Sequence, residues 1–141
     1  MKKIALIVGS AGQDGTLLSS RLQSLNYIVV GIIRGDIDLL NSKKISELIL
    51  KVKPDEIYYL AAYHNSSQDK IDDDVELFKQ SIDINAISVN NFLDAIFKHK
   101  SKCRFFYASS CLIFKGSKDT LLTENSQYSP DSYYAISKIS G

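Results

Sequence analysis

Tyr134 and Lys138 stand four residues apart, so on a helix they share one face. An unperturbed phenol, with a pKa of about 10, is a poor base at neutral pH, and lowering it by roughly three units takes about 4 kcal/mol of differential stabilisation. A lysine ammonium about 4 Å away, at an effective dielectric of ~20, supplies roughly that much. The pair therefore reads as proton-transfer machinery, a tyrosine tuned to run as base or as acid. Ser110 lies just past an apolar run at 104–109, where its hydroxyl is suited to hydrogen-bond the same phenolic oxygen as that oxygen changes charge. In a chain with 8 tyrosines, an ordinary surface helix turn also satisfies YxxxK. The order of the motifs along the chain gives it weight, because a glycine-rich turn stands far upstream.

That turn carries Gly9, Gly12 and Gly15 in the spacing GxxGxxG, between a short apolar run at 4–8 and the first helical stripe. The first glycine permits a tight turn, the second lets backbone N–H groups approach a diphosphate, and the third lets helix and strand pack closely. A dinucleotide belongs at such a helix N-terminus, with Gln13 and Asp14 inside the cradle. At the end of the second apolar run the chain reads Val30-Gly31-Ile32-Ile33-Arg34. An acidic residue there would bind a ribose 2′-hydroxyl, whereas the cation of Arg34 suits a 2′-phosphate and favours NADP over NAD. Asp36 and Asp38 close behind leave open the alternative of an ordinary surface arginine paired with a carboxylate.

These groups need elements to hold them. Residues 4–8 form a continuous β-branched run of the kind a doubly buried parallel strand requires. Leu18, Leu22 and Leu25 give a helical stripe, 27–33 a second strand, and Ile45, Leu48, Ile49 and Val52 a second helix closed by Pro54. A third strand is predicted at 57–62, then a polar loop from His64 to Asp74, then one long helix carrying Val75, Phe78, Ile82, Asn85, Val89, Phe92 and Ile96. A strand at 104–109, a turn-rich stretch from Thr120 to Pro130 and a helix beginning near Ser132 complete the series. Strand and helix alternate with crossovers long enough to hold a helix. That pattern predicts an α/β domain over residues 1–141, a doubly wound parallel sheet of Rossmann type with helices on both faces.

Composition narrows the partners. With 17 basic and 16 acidic residues the chain has no long-range field to draw it to nucleic acid or to a membrane surface. No run approaches the ~20 apolar residues that span a bilayer. Cys103 and Cys111 lack CxxC or metal-type spacing, so neither a disulfide framework nor a metal site is expected, and a reduced, cytoplasmic setting fits. The acidic cluster Asp72-Asp73-Asp74 and the basic run of Lys98, Lys100, Lys102 and Arg104 read as solvated faces.

With cradle, Ser-Ser and YxxxK in that order, the chain resembles the extended short-chain dehydrogenases, the NAD-dependent epimerases and dehydratases, and among them the GDP-mannose 4,6-dehydratase family. Gly12-Gln13-Asp14-Gly15 looks like that family's GQDG turn. The segment from Val52 through Ala62 resembles its VKP-x-EIYNL-x-A stretch, and Phe92-Leu93-Asp94-Ala95-Ile96 resembles its LLDAI helix end. The resemblance implies hydride transfer on a nucleotide sugar with bound NADP. It assigns Ser110, Tyr134 and Lys138 to catalysis, Asp38 and Leu39 to the adenine border, and Ala61 and Ala62 to the segment beneath the cofactor. It also implies a homo-oligomer, and a chain that stops before the last strands and the substrate domain.

Two departures accompany the likeness. Dehydratases of this type place a glutamate two residues after the catalytic Ser or Thr, and here that position is Leu112, which cannot move a proton. The sequence Ser109-Ser110-Cys111 also resembles GDP-fucose synthase, an epimerase-reductase that uses a cysteine, so Cys111 is either a substrate-facing group or, by the burial habit of free cysteine, a buried structural thiol. His64, after Ala61-Ala62-Tyr63, is either a loop histidine or a substrate contact. A dinucleotide-binding or interaction module without catalysis is the alternative to an enzyme.

Overall fold

The computed structural model describes residues 2–64, 74–99, 102–114 and 121–141. Asp72 and Asp73 of the acidic cluster, most of the 64–74 loop, Lys100 and Thr120 lie outside the described residues. Four parallel strands form one sheet: β1 (Ile4–Val8), β2 (Ile28–Ile32), β3 (Glu56–Tyr59) and β4 (Arg104–Tyr107), in the order β2-β1-β3-β4. The register pairs Leu6 with both Val30 and Ile57, and Ile57 with Phe105. β1 is fully buried from Ala5 to Val8, as its unbroken apolar run requires.

Alternate residues of the strands feed two cores. Leu6, Val8, Ile57 and Tyr59 face α2 (Ser42–Val52) and α4 (Ser88–Lys98), which contribute Ile45, Ile49, Val89 and Phe92. Ala5 and Ile7 face the other way, toward Leu22 and Leu18 of α1 (Gln13–Ser24). Helices therefore cover both faces, and the chain reverses direction across the sheet between β1 and β3. In a doubly wound sheet the crevice at that reversal, outside the carboxyl ends of the strands, is where a ligand binds.

Three expectations shift in detail. β3 and β4 stop at Tyr59 and Tyr107, earlier than the apolar runs suggested, although Leu60 N–H still bonds to Val8 (2.9 Å) and Ala108 N–H to Tyr59 (3.1 Å). Leu25 lies past the end of α1 and is half exposed. The long helix is broken: α3 (Asp74–Ile82) passes into a π-helical turn at Asp83–Ile87 before α4 resumes. The wider turn admits an extra residue and shifts the buried face, so Val75 is 76% exposed while Ser81, Asn85 and Ser88 are buried. The last helix, α5 (Tyr133–Ser140), starts where its signal stood, with the Ser132 hydroxyl accepting the Ala135 N–H at 3.2 Å.

Candidate active site

The glycine turn is built from close backbone approach. Gly9 adopts φ 92°, and a Cβ there would stand 2.8 Å from the Ala61 nitrogen. A Cβ on Gly15 would collide with the Gly9 carbonyl, so the third glycine serves the packing of α1 on the end of β1. Gly12 differs, for a Cβ there would meet only the Gly9 oxygen at 3.4 Å, an ordinary contact, and its open side faces the cleft. Gly12 caps α1 with no side-chain hydrogen bond. The first N–H groups of the helix are thus left for an incoming acceptor.

A cleft of about 840 Å³ opens at this point. Gly9, Gly12, Arg34, Asp38, Leu39, Ala61 and Ala62, seven of the ten residues assigned to a cofactor from the sequence, line it. Gln13, Asp14 and Gly15 form the first turn of α1 beside it without lining it. Arg34 occupies the tip of a tight turn closed by the Asp36 N–H to the Ile33 carbonyl (3.2 Å), with Gly35 at φ 98°. The Asp36 and Asp38 carboxylates accept the N–H groups of Ile33 and Leu40, both at 2.9 Å. Among the described residues Arg34 makes no ion pair, so its guanidinium stands at the cleft margin for a ligand.

Beyond the cleft wall the side chains assigned to catalysis from the sequence converge. The Ser110 hydroxyl lies close enough to the Tyr134 phenol to favour its ionised form. The Ser110 oxygen accepts the Leu112 N–H at 3.2 Å, which leaves its own proton free to donate. Lys138 is 3% exposed and donates to the Ala108 carbonyl at 2.8 Å, with its ammonium 5.7 Å from the centroid of the Tyr134 ring. The His64 and Tyr134 rings meet in a T-shaped contact, 4.6 Å between centroids and 88° between planes, and Tyr63 just before His64 lines the cleft.

Two readings from the sequence are corrected here. For Tyr134 the shift runs opposite to the one expected: burial holds its pKa above the ordinary phenol value, the nearby Ser110 hydroxyl offsets this in part, and Cys111 adds to the rise. Lys138 donates its hydrogen bond to a backbone carbonyl instead of to the phenol oxygen, and burial pushes its own pKa down to about 8. Cys111 is exposed at the start of a single 3-10 turn (Cys111–Ile113), so the buried structural thiol is ruled out. That turn carries Leu112, 47% exposed, beside the cluster.

Asn85 is the residue whose role sequence reasoning missed. Fully buried in the π turn, its amide accepts the Tyr63 N–H (2.9 Å) and donates to the Tyr63 carbonyl (3.0 Å) and to Ser137 of α5 (2.9 Å). It thereby ties the loop that carries His64 to the helix that carries Tyr134. Its signal was a polar side chain inside an apolar stripe. Tyr107, whose hydroxyl donates to the Asn85 carbonyl at 2.7 Å, was likewise read only as strand.

Comparison with known proteins agrees with this architecture. The sequence pattern of the family described as NAD dependent epimerase/dehydratase matches residues 5–141. The chain is 28% identical to GDP-mannose 4,6 dehydratase 2 of Caenorhabditis elegans, covering 99% of this chain and 43% of that protein. It is 28% identical to GDP-mannose 4,6-dehydratase of Vibrio cholerae, covering 99% and 44%. Among solved structures, dTDP-4-dehydrorhamnose reductase of Bacillus anthracis in complex with NADP has a TM-score of 0.84 at 24% identity, over 99% of this chain and 48% of that one. UDP-glucose 4-epimerase of Thermus thermophilus in complex with NAD gives 0.77 at 19%, over 96% and 47%. At such identities the structural likeness shows the fold. The chain spans less than half the length of each of these four.

Proposed function

The chain belongs to the NAD dependent epimerase/dehydratase family, and from that premise we propose that its 141 residues form an NAD(P)-binding Rossmann domain serving hydride transfer on a nucleotide sugar. The observation that carries this is the buried Lys138 ammonium 5.7 Å from the Tyr134 ring, with the Ser110 hydroxyl close to the phenol, next to a cleft with a glycine cradle.

The residues present fit a dinucleotide. The open side of Gly12 and the uncapped N-terminus of α1 suit a diphosphate, while Ala61 and Ala62 offer a flat floor and Asp38 and Leu39 an adenine border. Arg34 suits a ribose 2′-phosphate and favours NADP. Once bound, the nicotinamide supplies the hydride acceptor or, when reduced, the donor. In the geometry described, Tyr134 keeps its proton, so it rests as an acid and donates to an oxygen placed beside Ser110. Run in reverse it takes the proton of a sugar hydroxyl, with the Ser110 hydroxyl steadying the oxygen as charge develops. The exposed His64 ring packed on Tyr134 and the exposed Cys111 thiol near the same phenol support both as substrate contacts. A GDP-mannose-like substrate follows from the likeness to the relatives named GDP-mannose 4,6-dehydratase.

Leu112 favours a second reading, a domain that binds a dinucleotide without completing a dehydration. One assay separates them: the purified chain is given NADP or NAD and then GDP-mannose or another nucleotide sugar, with absorbance followed at the reduced-nicotinamide band. Hydride transfer that falls by about 10²–10⁴-fold in Tyr134→Phe, with dinucleotide binding retained, is the expected result. Turnover in Tyr134→Phe equal to the parent contradicts the role of Tyr134. Binding with neither an absorbance change nor any conversion of the sugar seen by mass spectrometry supports the second reading, because dehydration or epimerisation returns the hydride and leaves no net reduced cofactor.

A further inference from the structure

Lys138 is buried without a carboxylate partner. Among the described residues it forms no ion pair, and its hydrogen bond goes to a neutral carbonyl, that of Ala108. A desolvated ammonium in such a place needs negative potential from another source. Two aromatic faces supply it: Lys138 Nζ lies 4.7 Å from the centroid of Tyr107 and 5.7 Å from that of Tyr134. The nearer ring is the more firmly held. The Tyr107 hydroxyl donates to the Asn85 carbonyl at 2.7 Å, and the ring lies so close to Gly141 that a Cβ there would meet it at about 3.0 Å. Burial, with Tyr59 and Tyr134 nearby, raises the Tyr107 pKa well above the ordinary phenol value, so the ring stays neutral and its hydroxyl stays a donor.

We propose that Tyr107 is a positioning residue for Lys138: its ring, anchored through its hydroxyl to the π turn at Asn85, fixes the ammonium beside Tyr134 and keeps it charged. The role of Tyr107 in chemistry rests on Lys138 belonging to the reactive set, but its effect on the ammonium does not depend on any ligand. The other titratable groups near Lys138 are Tyr134 on its own helix and, through contact with Tyr134, His64 from the loop after β3 and Cys111 from the 3-10 turn.

The test is an NMR titration of the Lys138 side chain in the full 141-residue chain, its resonance identified by its loss in Lys138→Met. The parent midpoint is expected near 8. Tyr107→Leu, which keeps apolar volume and removes the ring, lowers it by about one pH unit. Tyr107→Phe, which keeps the ring and loses the anchor, shifts it less than half as far. A folded Tyr107→Leu whose midpoint is unchanged or raised overturns the proposal. If Tyr107→Leu does not fold, the parent decides: Tyr107 ring resonances that move with the Lys138 midpoint support the proposal, and ring resonances that stay fixed overturn it. No dinucleotide or sugar takes part. A lowered midpoint in a chain that binds no dinucleotide keeps the Tyr107 contact and removes the oxidoreductase, while binding with no change of midpoint does the reverse.

Discussion

Glu56 and Lys138 are the charged side chains buried among the described residues, and they are treated in opposite ways. Glu56, at the start of β3, gathers Tyr58 at 2.7 Å, Tyr27 at 3.2 Å, Lys3 at 3.5 Å and the guanidinium of Arg104. Burial raises its pKa, but the hydrogen bonds from Tyr58, Arg104 and Tyr27 win and the net shift is downward. Lys138, past the other end of the strands, receives no such compensation and its pKa falls to about 8. A compensated charge is a structural clamp, whereas an uncompensated one is what the proposed role of Lys138 beside Tyr134 requires. The pH signs differ accordingly. The Glu56 contribution is present above the ordinary carboxylate pKa and lost as pH falls through its lowered value. For Lys138 the unfolded chain holds more protons than the folded one between about 8 and the ordinary lysine value of 10.5, so stability rises with pH across that window. Denaturant unfolding followed against pH should therefore show Lys138→Met losing the alkaline rise. Glu56→Gln should lose about 1 kcal/mol at neutral pH, a figure discounted because Lys3 and Arg104 are exposed.

At the scale of elements the π turn does the most to assemble the site. Its carbonyls take phenols from two strands, Ile84 accepting from Tyr59 and Asn85 from Tyr107, both at 2.7 Å, and the Asn85 amide holds Tyr63 and Ser137. Asn85→Ala leaves the part-buried N–H and carbonyl of Tyr63 and the Ser137 hydroxyl without these partners and should cost about 1–3 kcal/mol in unfolding free energy. It should also loosen His64 from Tyr134, seen as loss of ring-current shifts on the His64 protons. A cost below half of this would show that water or a neighbour replaces the amide. The sequence made the lower part of this helix legible, since Val89 and Phe92 are buried as their spacing required. The turn itself was hidden. Apolar periodicity assumes 3.6 residues per turn, and Ser81, Asn85 and Ser88 are buried for their hydrogen bonds, which no hydropathy pattern encodes.

Across the whole molecule, strand identity and parallel order follow from continuous apolar runs separated by helix-length crossovers, and β1 ends where its run ends. Gly9, Arg34, Ala61 and Ala62 were legible because they follow the carboxyl ends of β1, β2 and β3, where glycine, arginine and small side chains have no packing reason to stand. The protonation of Tyr134 was not legible, because spacing puts Lys138 on the same face without revealing that Ala108 takes its hydrogen bond. Gly12 offers the most direct test of the proposed dinucleotide cleft, since it lines that cleft and a side chain fits there without collision. The measurement is fluorescence titration with NADPH of the parent chain and of Gly12→Val, each with its thermal unfolding curve. Saturable binding by the parent, weakened at least about tenfold in a Gly12→Val variant that melts normally, is the predicted result. A parent chain that fails to bind, or a Gly12→Val variant that binds as tightly as the parent, would contradict the account.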